Sequence, residues 1–450
     1  MARTYWLETL GCPKNEVDSE KLAALMASDG LTEAADPASA DLVVVNTCAF
    51  VEEAREESVA TILDLHEQRN DSSELVVTGC MAERYGSELA EALPEADRIS
   101  GFGVPVAPVS VPVVLGPRGA TGAAEPGSGI PEFDLLNLPR PESSRPWAYV
   151  KIAEGCDKRC GFCAIPSFRG PQRSRGEDSI LAEVEQLQVR EVVLVAQDLG
   201  AYGRDGGKGE RRITELFAAV SERVDWVRLL YLFPSELTDG LIEAIAGSPV
   251  PYFDLSLQHV SAPLVRRMRR PGNAAAYLER IDRIRSLSAH AATRSNFIVG
   301  YPGETEDDHD QLLRFIEEAQ LDWCGFFAYS RESGTHAAEL DGEVAPGLVA
   351  DRLAELRELQ DGITLARRDS LIDTVARVLV DEPGVARSHR EAPEIDGIIS
   401  VPADLAVGQF HDVRISAAQG PDLIAEPSSG EPLASSMASA GRATHPTESW

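Results

Sequence analysis

The feature that most constrains the fold is an alternation of short β-rich runs with helix-length polar stretches. In the N-terminal third, apolar runs at 5–10, 42–45 and 75–77 precede helical stretches at 19–27, 52–68 and 83–93. Strand and helix in that order predict βαβ crossovers, and hence a parallel sheet. Each of these strands leads into a turn with a cysteine: Cys12, Cys48 and Cys80. All strands of a parallel sheet end on one edge, and ligands bind outside that edge. Three thiols more than thirty residues apart in sequence can therefore meet in space.

A longer alternation starts at Ala148. Strands are predicted at 149–153, 192–196, 227–232, 252–257, 295–299 and 324–329, separated by helices near 180–188, 213–220, 237–246, 274–287 and 307–319. Six βα units predict an open, partial (β/α)6 barrel whose chemistry sits at the C-terminal strand ends. Those ends hold a cysteine cluster, Gln197-Asp198, Ser235-Glu236, Gln258-His259, residues 300–304 and Ser330-Arg331. That placement points to an enzyme. Beyond a helix at 348–369, short β runs at 375–380, 398–401 and 411–415 predict a small β-barrel.

The chain thus reads as an α/β multidomain protein. A parallel-sheet α/β domain spans 1–102, a Pro/Gly-rich linker 103–141, the partial barrel 142–369, the small C-terminal β-barrel 370–425 and a disordered tail 426–450.

Charge narrows the partners. With 42 Lys+Arg against 73 Asp+Glu, the net charge of −31 argues against broad gripping of a phosphate backbone, which needs a cationic footprint. It is compatible with a basic protein partner. The start, MARTYWLETL, lacks the cationic flank and apolar stretch of a secretory signal. No apolar run approaches the ~18 residues of a membrane span. These features predict a soluble, cytoplasmic protein with no membrane partner. Seven cysteines are then a poor disulfide framework, because that compartment keeps thiols reduced.

The strongest local signal is Cys156-x3-Cys160-x2-Cys163 at the end of a strand. Three thiolates within eight residues can wrap one metal centre. A structural zinc site needs four protein ligands and would have to borrow a distant His. A cubane cluster usually takes four cysteines, so three would leave one iron open to an outside ligand. Both readings, and chance clustering of core thiols, stay open on spacing alone.

Together these residues resemble the radical S-adenosylmethionine enzymes, whose signature is three cysteines at this spacing with an aromatic, here Phe162, before the last. More narrowly the chain resembles their methylthiotransferase branch, on the side that modifies a ribosomal protein. The matching segments are Leu10-Gly11-Cys12-Pro13-Lys14-Asn15 with Asp18-Ser19-Glu20, Asn46-Thr47-Cys48, Gly79-Cys80, and Lys151-Ile152-Ala153-Glu154-Gly155-Cys156 through Pro166-Ser167-Phe168-Arg169-Gly170. Further matches are Leu257-Gln258-His259, Gly300-Tyr301-Pro302-Gly303-Glu304 and Ala392-Pro393-Glu394-Ile395-Asp396-Gly397. They cover roughly residues 3–425 and all three predicted domains in order.

The resemblance implies two [4Fe–4S] clusters. Cys156, Cys160 and Cys163 would hold the one that binds S-adenosylmethionine and yields a 5′-deoxyadenosyl radical. Cys12, Cys48 and Cys80 would hold an auxiliary cluster that carries the sulfur to be delivered, methylated by a further S-adenosylmethionine. Phe162, Gln197, Asp198, Gly300, Gly303 and Glu304 are the candidate S-adenosylmethionine contacts, and no catalytic residue is assigned beyond the ligands. The implied target is the β-carbon of an aspartate on ribosomal protein uS12, docked with help from the C-terminal barrel, a TRAM domain of OB-like form. An electron donor such as flavodoxin or ferredoxin is implied as well.

A sister branch modifies an adenosine in tRNA, and its TRAM domain meets RNA. In 371–425 four arginines face nine carboxylates, which suits a basic protein loop better than a phosphate backbone. Nucleic acid is therefore not the primary partner expected. The chain departs from the family in the Pro-rich stretch at 104–119, where an ordinary helix is expected, and in its long tail. Cys324 reads as a core thiol. His259 reads as either a ligand contact or a structural histidine, and the run from Arg266 to Arg270 as a solvated helix end. Lys14 and Arg169 flank the cysteine motifs with no catalytic role assigned.

Overall fold

The computed structural model describes residues 3–107, 134–206 and 209–428. Its first layer is a parallel sheet of β1 (Thr4–Thr9), β2 (Thr32–Glu33), β3 (Leu42–Thr47), β4 (Glu74–Gly79) and β5 (Arg98–Ile99), in the order β2-β1-β3-β4-β5. The crossovers run through α1 (Pro13–Ser28), α2 (Glu52–Gln68) and α3 (Cys80–Ala92). Central β3, LVVVNT, is buried along its whole length, as a parallel strand covered on both faces must be. β2 and β5, two residues each, are too short to show periodicity and were not legible in the sequence.

The second region opens with β6 (Trp147–Lys151), the two-residue strands β7 (Ala153–Glu154) and β8 (Arg173–Ser174), and short α4 (Ile165–Arg169) between these two. It continues through α5 (Glu177–Leu187), β9 (Glu191–Val195), α6 (Ile213–Ser221), β10 (Trp226–Leu229), α7 (Asp239–Ala246) and β11 (Tyr252–Gln258). α8 (Ala262–Arg267), α9 (Ala274–Leu287), β12 (Ala292–Val299), α10 (Glu306–Ala319), β13 (Trp323–Ala328) and α11 (Pro346–Asp369) complete it. All six expected barrel strands are present. They pair in parallel as β10-β9-β6 and β11-β12-β13, joined by a parallel bridge from Leu232 to Leu255. Alternate residues divide the strands' two faces. Val150, Leu194, Leu229, Leu255 and Val299 pack on the helices, while Tyr149, Val193, Trp226, Tyr252 and Trp323 face a shared interior.

The C-terminal region is a closed barrel of β14 (Val375–Glu382), β15 (Val385–Arg387), β16 (Ile399–Ser400), β17 (Phe410–Gln419) and β18 (Asp422–Pro427). β18 reaches Pro427, opposite Val413, so the barrel runs two residues past the end expected at 425. Most of the expected tail, 429–450, lies outside the described residues.

The loop after β15 fills the N-terminal end of the partial barrel. Tyr149 donates its hydroxyl to Pro393 O at 3.0 Å, Tyr252 to Asp396 Oδ2 at 2.6 Å, and the Trp323 indole to Arg390 O at 2.8 Å. Buried Glu191 pairs with both Arg228 and Arg387, at 2.9 and 2.8 Å. The Ala392–Gly397 motif is thus structural, a plug in the barrel end away from the cysteine loop.

Of the expected linker, 108–133 lies outside the described residues. Its last part is docked: Leu135, Leu136 and Leu138 are buried, and Lys21 donates from α1 to Leu136 O at 2.8 Å. No helix among the described residues is long and apolar enough to cross a membrane.

Candidate metal centres and the junction between them

Each N-terminal cysteine sits where a strand hands over to a helix. Cys12 is the N-cap of α1, with Pro13 in the first turn; Cys48 follows β3; Cys80 opens α3. Proline suits a first helical position because its missing N–H has no partner there. Gly11, at φ +96, brings the chain past Cys48 so closely that a Cβ would lie 2.8 Å from Cys48 Cβ and 2.9 Å from its Sγ. Any larger residue would push the first two thiols apart.

The three thiols share one electrostatic field. Burial pushes Cys48 up to about 11, and the charges of Cys80 and Cys12 push the same way. Cys80 is raised by burial against the pull of Arg169. At Cys12 burial also raises the thiol, but Lys14 and Arg169 outweigh it and hold Cys12 below the ordinary value. Thiolate, not thiol, is the metal-binding form, so these cations favour ligation.

Cys156, Cys160 and Cys163 lie on the loop between β7 and α4. Burial raises Cys156 to about 11 and Cys163 to about 12, and Cys160 adds to both. Arg270 Nη1 donates to Cys160 Sγ at 3.3 Å, with its guanidinium 3.9 Å from the Phe233 ring centroid. The Arg266–Arg270 run, expected on solvent, therefore turns one member inward to the cysteine loop. Sequence offered no sign of which arginine it would be.

The other rim residues divide into two sets. Lys158 Nζ draws the ends of β9 and β10 to the loop, at 3.0 Å from Asp198 and 2.8 Å from Glu236. Gln197 Nε2 donates to Glu154 Oε1 at 2.6 Å. Gln197 Oε1 and Asp198 Oδ1 are buried without a hydrogen-bond partner among the described residues, which leaves two acceptors beside the loop for a ligand.

The 300–304 turn is occupied by its own fold. Glu304 accepts from Gly300 N at 2.5 Å and Tyr301 N at 3.2 Å, and pairs with Arg352 at 3.0 Å. A Cβ on Gly300 or Gly303 would strike Val349 or Arg267, at 2.5 and 2.9 Å. The turn still reaches the cysteine loop, because a Cβ on Gly161 would lie 2.7 Å from the Tyr301 hydroxyl. Phe162 packs there against Leu264, Met268 and Tyr301. Buried His259 accepts from Ser261 N at 3.2 Å, burial lowers it to about 4, and its Nε2 has no hydrogen-bond partner among the described residues. Cys324 is half-buried against the core, its thiol pushed up by burial.

Between the triads lies a charge network that the sequence did not reveal. Lys151, at the end of β6, pairs with Asp18 of α1 and with Glu154 at 2.7 Å. Arg169 pairs with the same two carboxylates, at 3.2 and 3.0 Å, and also donates to Cys80 Sγ at 3.0 Å. One residue on, Gly170 O accepts from Cys156 N at 3.0 Å. These residues stand in the quoted motifs, but nothing in linear order says that they meet.

The arrangement fits iron–sulfur chemistry: two sets of three thiols, each with one guanidinium donor. No group of three His, Cys, Asp or Glu among the described residues is gathered as a single metal ion would gather it. A four-iron cube spreads its thiolates around a wider cage than one ion does.

Comparison with known proteins agrees. The sequence matches an uncharacterised family, UPF0004, over 4–101, the Radical SAM superfamily over 150–316 and the TRAM domain over 367–427. A protein of Cutibacterium acnes named ribosomal protein uS12 methylthiotransferase RimO is 40% identical over 472 residues, covering 94% of this chain and 98% of its own. The Moorella thermoacetica protein of that name is 44% identical, covering 88% and 92%, and the Salinispora tropica one 41%, covering 94% and 95%. The chain belongs to the RimO family. It is therefore a radical SAM methylthiotransferase, and the RimO family implies [4Fe–4S] clusters and S-adenosylmethionine as its cofactors. The RimO match also runs through the C-terminal barrel, in keeping with its closed five-strand form.

Proposed function

We propose that this chain adds a methylthio group to the β-carbon of an aspartate in ribosomal protein uS12. The observation that carries the reading is the buried Asp18–Lys151–Glu154–Arg169 network, which reaches Cys80 through Arg169 and stands one residue from Gly170, whose carbonyl accepts from Cys156 N. Cys156, Cys160 and Cys163 would hold one cluster, and Cys12, Cys48 and Cys80 the other. Bound there with S-adenosylmethionine, the clusters supply one-electron chemistry able to take hydrogen from an unactivated carbon, and a place to hold the sulfur.

The chain's own residues do the rest. Gln197 Oε1 and Asp198 Oδ1 offer acceptors beside the barrel triad. Arg270 places positive charge there, whereas Lys158 is matched by Asp198 and Glu236. Lys14 suits an anionic side chain arriving near the N-terminal triad. Its ammonium lies 3.9 Å from the Tyr231 ring centroid and has no carboxylate partner among the described residues. Burial opposes the charge on Lys14, but Cys12 outweighs it and holds the ammonium above its ordinary value. An aspartate entering there meets a cation that no internal carboxylate neutralises.

The tRNA-modifying reading is less favoured, by the RimO relatives and by the acidic C-terminal barrel. Domain limits of 1–102, 142–369 and 370–427, an external electron donor such as flavodoxin or ferredoxin, and a cytoplasmic setting belong to this same reading. The test is anaerobic turnover with reductant and S-adenosylmethionine, offering a uS12 loop peptide and unmodified tRNA side by side. A methylthio mass increase on the peptide alone is expected. An increase on the tRNA alone overturns the proposal.

A further inference from the structure

Arg169 ends α4 in the partial barrel, yet its guanidinium reaches a thiol of the N-terminal triad. Nη2 donates to Cys80 Sγ at 3.0 Å and to Asn15 Oδ1 at 2.7 Å. Nη1 donates to Glu154 Oε2 at 3.0 Å and Asp18 Oδ2 at 3.2 Å. The side chain is 3% exposed, and the Phe102 ring centroid lies 4.2 Å from the guanidinium carbon. Packing and four acceptors leave this group no other place to point.

We infer that Arg169 is a positioning residue for the N-terminal centre: its N–H···S hydrogen bond, supplied from the barrel half, fixes the Cys80 thiolate and raises the reduction potential of a cluster held there. The inference rests on Cys12, Cys48 and Cys80 being cluster ligands. Reduction adds one negative charge to a cluster, so a donor and cation at its sulfur stabilise the reduced form more than the oxidised one. In a water-poor site that difference is weakly screened. Asp18 and Glu154 share the same guanidinium and oppose it, so they set how much positive charge the sulfur experiences.

Opposite signs follow for opposite changes. Losing the cation lowers the potential, and neutralising a carboxylate beside it raises the potential. A merely structural role for Arg169 would lower cluster content in both cases and move the potential in neither direction systematically.

The experiment uses full-length protein reconstituted with iron and sulfide. In a Cys156→Ala/Cys160→Ala/Cys163→Ala background only the N-terminal cluster remains, and its midpoint is read by a redox titration followed by electron paramagnetic resonance. R169Q is expected to shift the oxidised-to-reduced ratio about tenfold toward oxidised at fixed potential, about 59 mV for one electron. R169K recovers part of that shift, and D18N moves the ratio the other way. In the complementary background with Cys12, Cys48 and Cys80 replaced by Ala, none of these changes moves the barrel cluster. Unchanged midpoints, or shifts of the same sign in R169Q and D18N, overturn the inference. If R169Q loads no iron, R169K and D18N still decide it. Failure of the underlying assignment looks different: the Cys156/Cys160/Cys163 variant alone would then bind no iron.

Discussion

Arg169 and Arg270 each donate to one thiol, at 3.0 Å to Cys80 and 3.3 Å to Cys160, but they are held in different company. Arg169 is matched by Asp18 and Glu154 and shares them with Lys151. Arg270 rests on the Phe233 ring and the Ser256 carbonyl, with no carboxylate in ion-pair range among the described residues. Beside it, Gln197 Oε1 and Asp198 Oδ1 have no hydrogen-bond partner among those residues. The N-terminal triad is thus locked into a network that crosses between the two halves. The barrel triad keeps unmatched charge and open acceptors, as a site that takes up and releases a small charged cofactor requires. Lys14 is the exception on the N-terminal side, and it marks where an anionic substrate would be received.

The sharpest way to break this comparison is to remove one triad at a time. Cys160→Ala is expected to abolish both 5′-deoxyadenosine formation and methylthiolation. Cys80→Ala is expected to abolish methylthiolation while 5′-deoxyadenosine still forms. Chromatography of the nucleoside and mass spectrometry of the peptide read both. Loss of 5′-deoxyadenosine in both variants would mean that the triads do not divide the work.

The locked network gives the next effect. Lys151→Met leaves Asp18 and Glu154 with Arg169 alone in a buried site, and stranding buried charge costs about 3–5 kcal/mol. The expected outcome is a lower unfolding midpoint in denaturant for apoprotein. Asp198→Asn, on the barrel side, removes a charge paired with the part-exposed Lys158 and should cost clearly less. Equal losses would erase the contrast.

Acid separates the halves as well. His259 titrates near 4 in the fold because of burial, against an ordinary 6.5. The unfolded chain therefore binds the extra proton between those values, so stability falls as pH drops from about 6.5 to 4 and is flat above. A shift of that size is worth about 3 kcal/mol at most. His259→Gln should flatten part of this acid limb, while half-buried His389, also lowered to about 4, preserves the rest. An unchanged slope in denaturation series from pH 7 to 5 contradicts the reading.

The smallest effect concerns substrate. Lys14→Met, compared at equal iron content because Lys14 also favours the Cys12 thiolate, should raise the KM for the uS12 peptide about tenfold, in keeping with one hydrogen bond to a charged group. A fall in kcat at constant KM would place Lys14 in another role.

Much of this was legible in linear order, for physical reasons. Helix α2 (Glu52–Gln68) coincides with its expected range, and the six barrel strands stand out because buried parallel strands are apolar throughout. The strand-to-cysteine turns gave away the N-terminal triad, since parallel topology puts strand ends on one edge. What stayed hidden depends on tertiary meeting. Arg169, Glu154 and Asp18 are ordinary charged residues in sequence, and only docking of α1 against β6 brings them together. Nor does linear order show that Gly300 and Gly303 leave room for Val349 and Arg267. The Ala392–Gly397 segment pointed to the family the chain belongs to, and its place as a plug in the barrel end appears only in the fold.

The central claim is that two separate triads each hold a four-iron cube. Iron and sulfide analysis with Mössbauer spectroscopy, on oxygen-free full-length protein and the two triple-alanine variants, tests it most directly. Roughly eight irons per chain, and roughly four in each variant, all in cubane form, are expected. Roughly four irons in the unaltered protein, unchanged when Cys12, Cys48 and Cys80 are replaced, would contradict it.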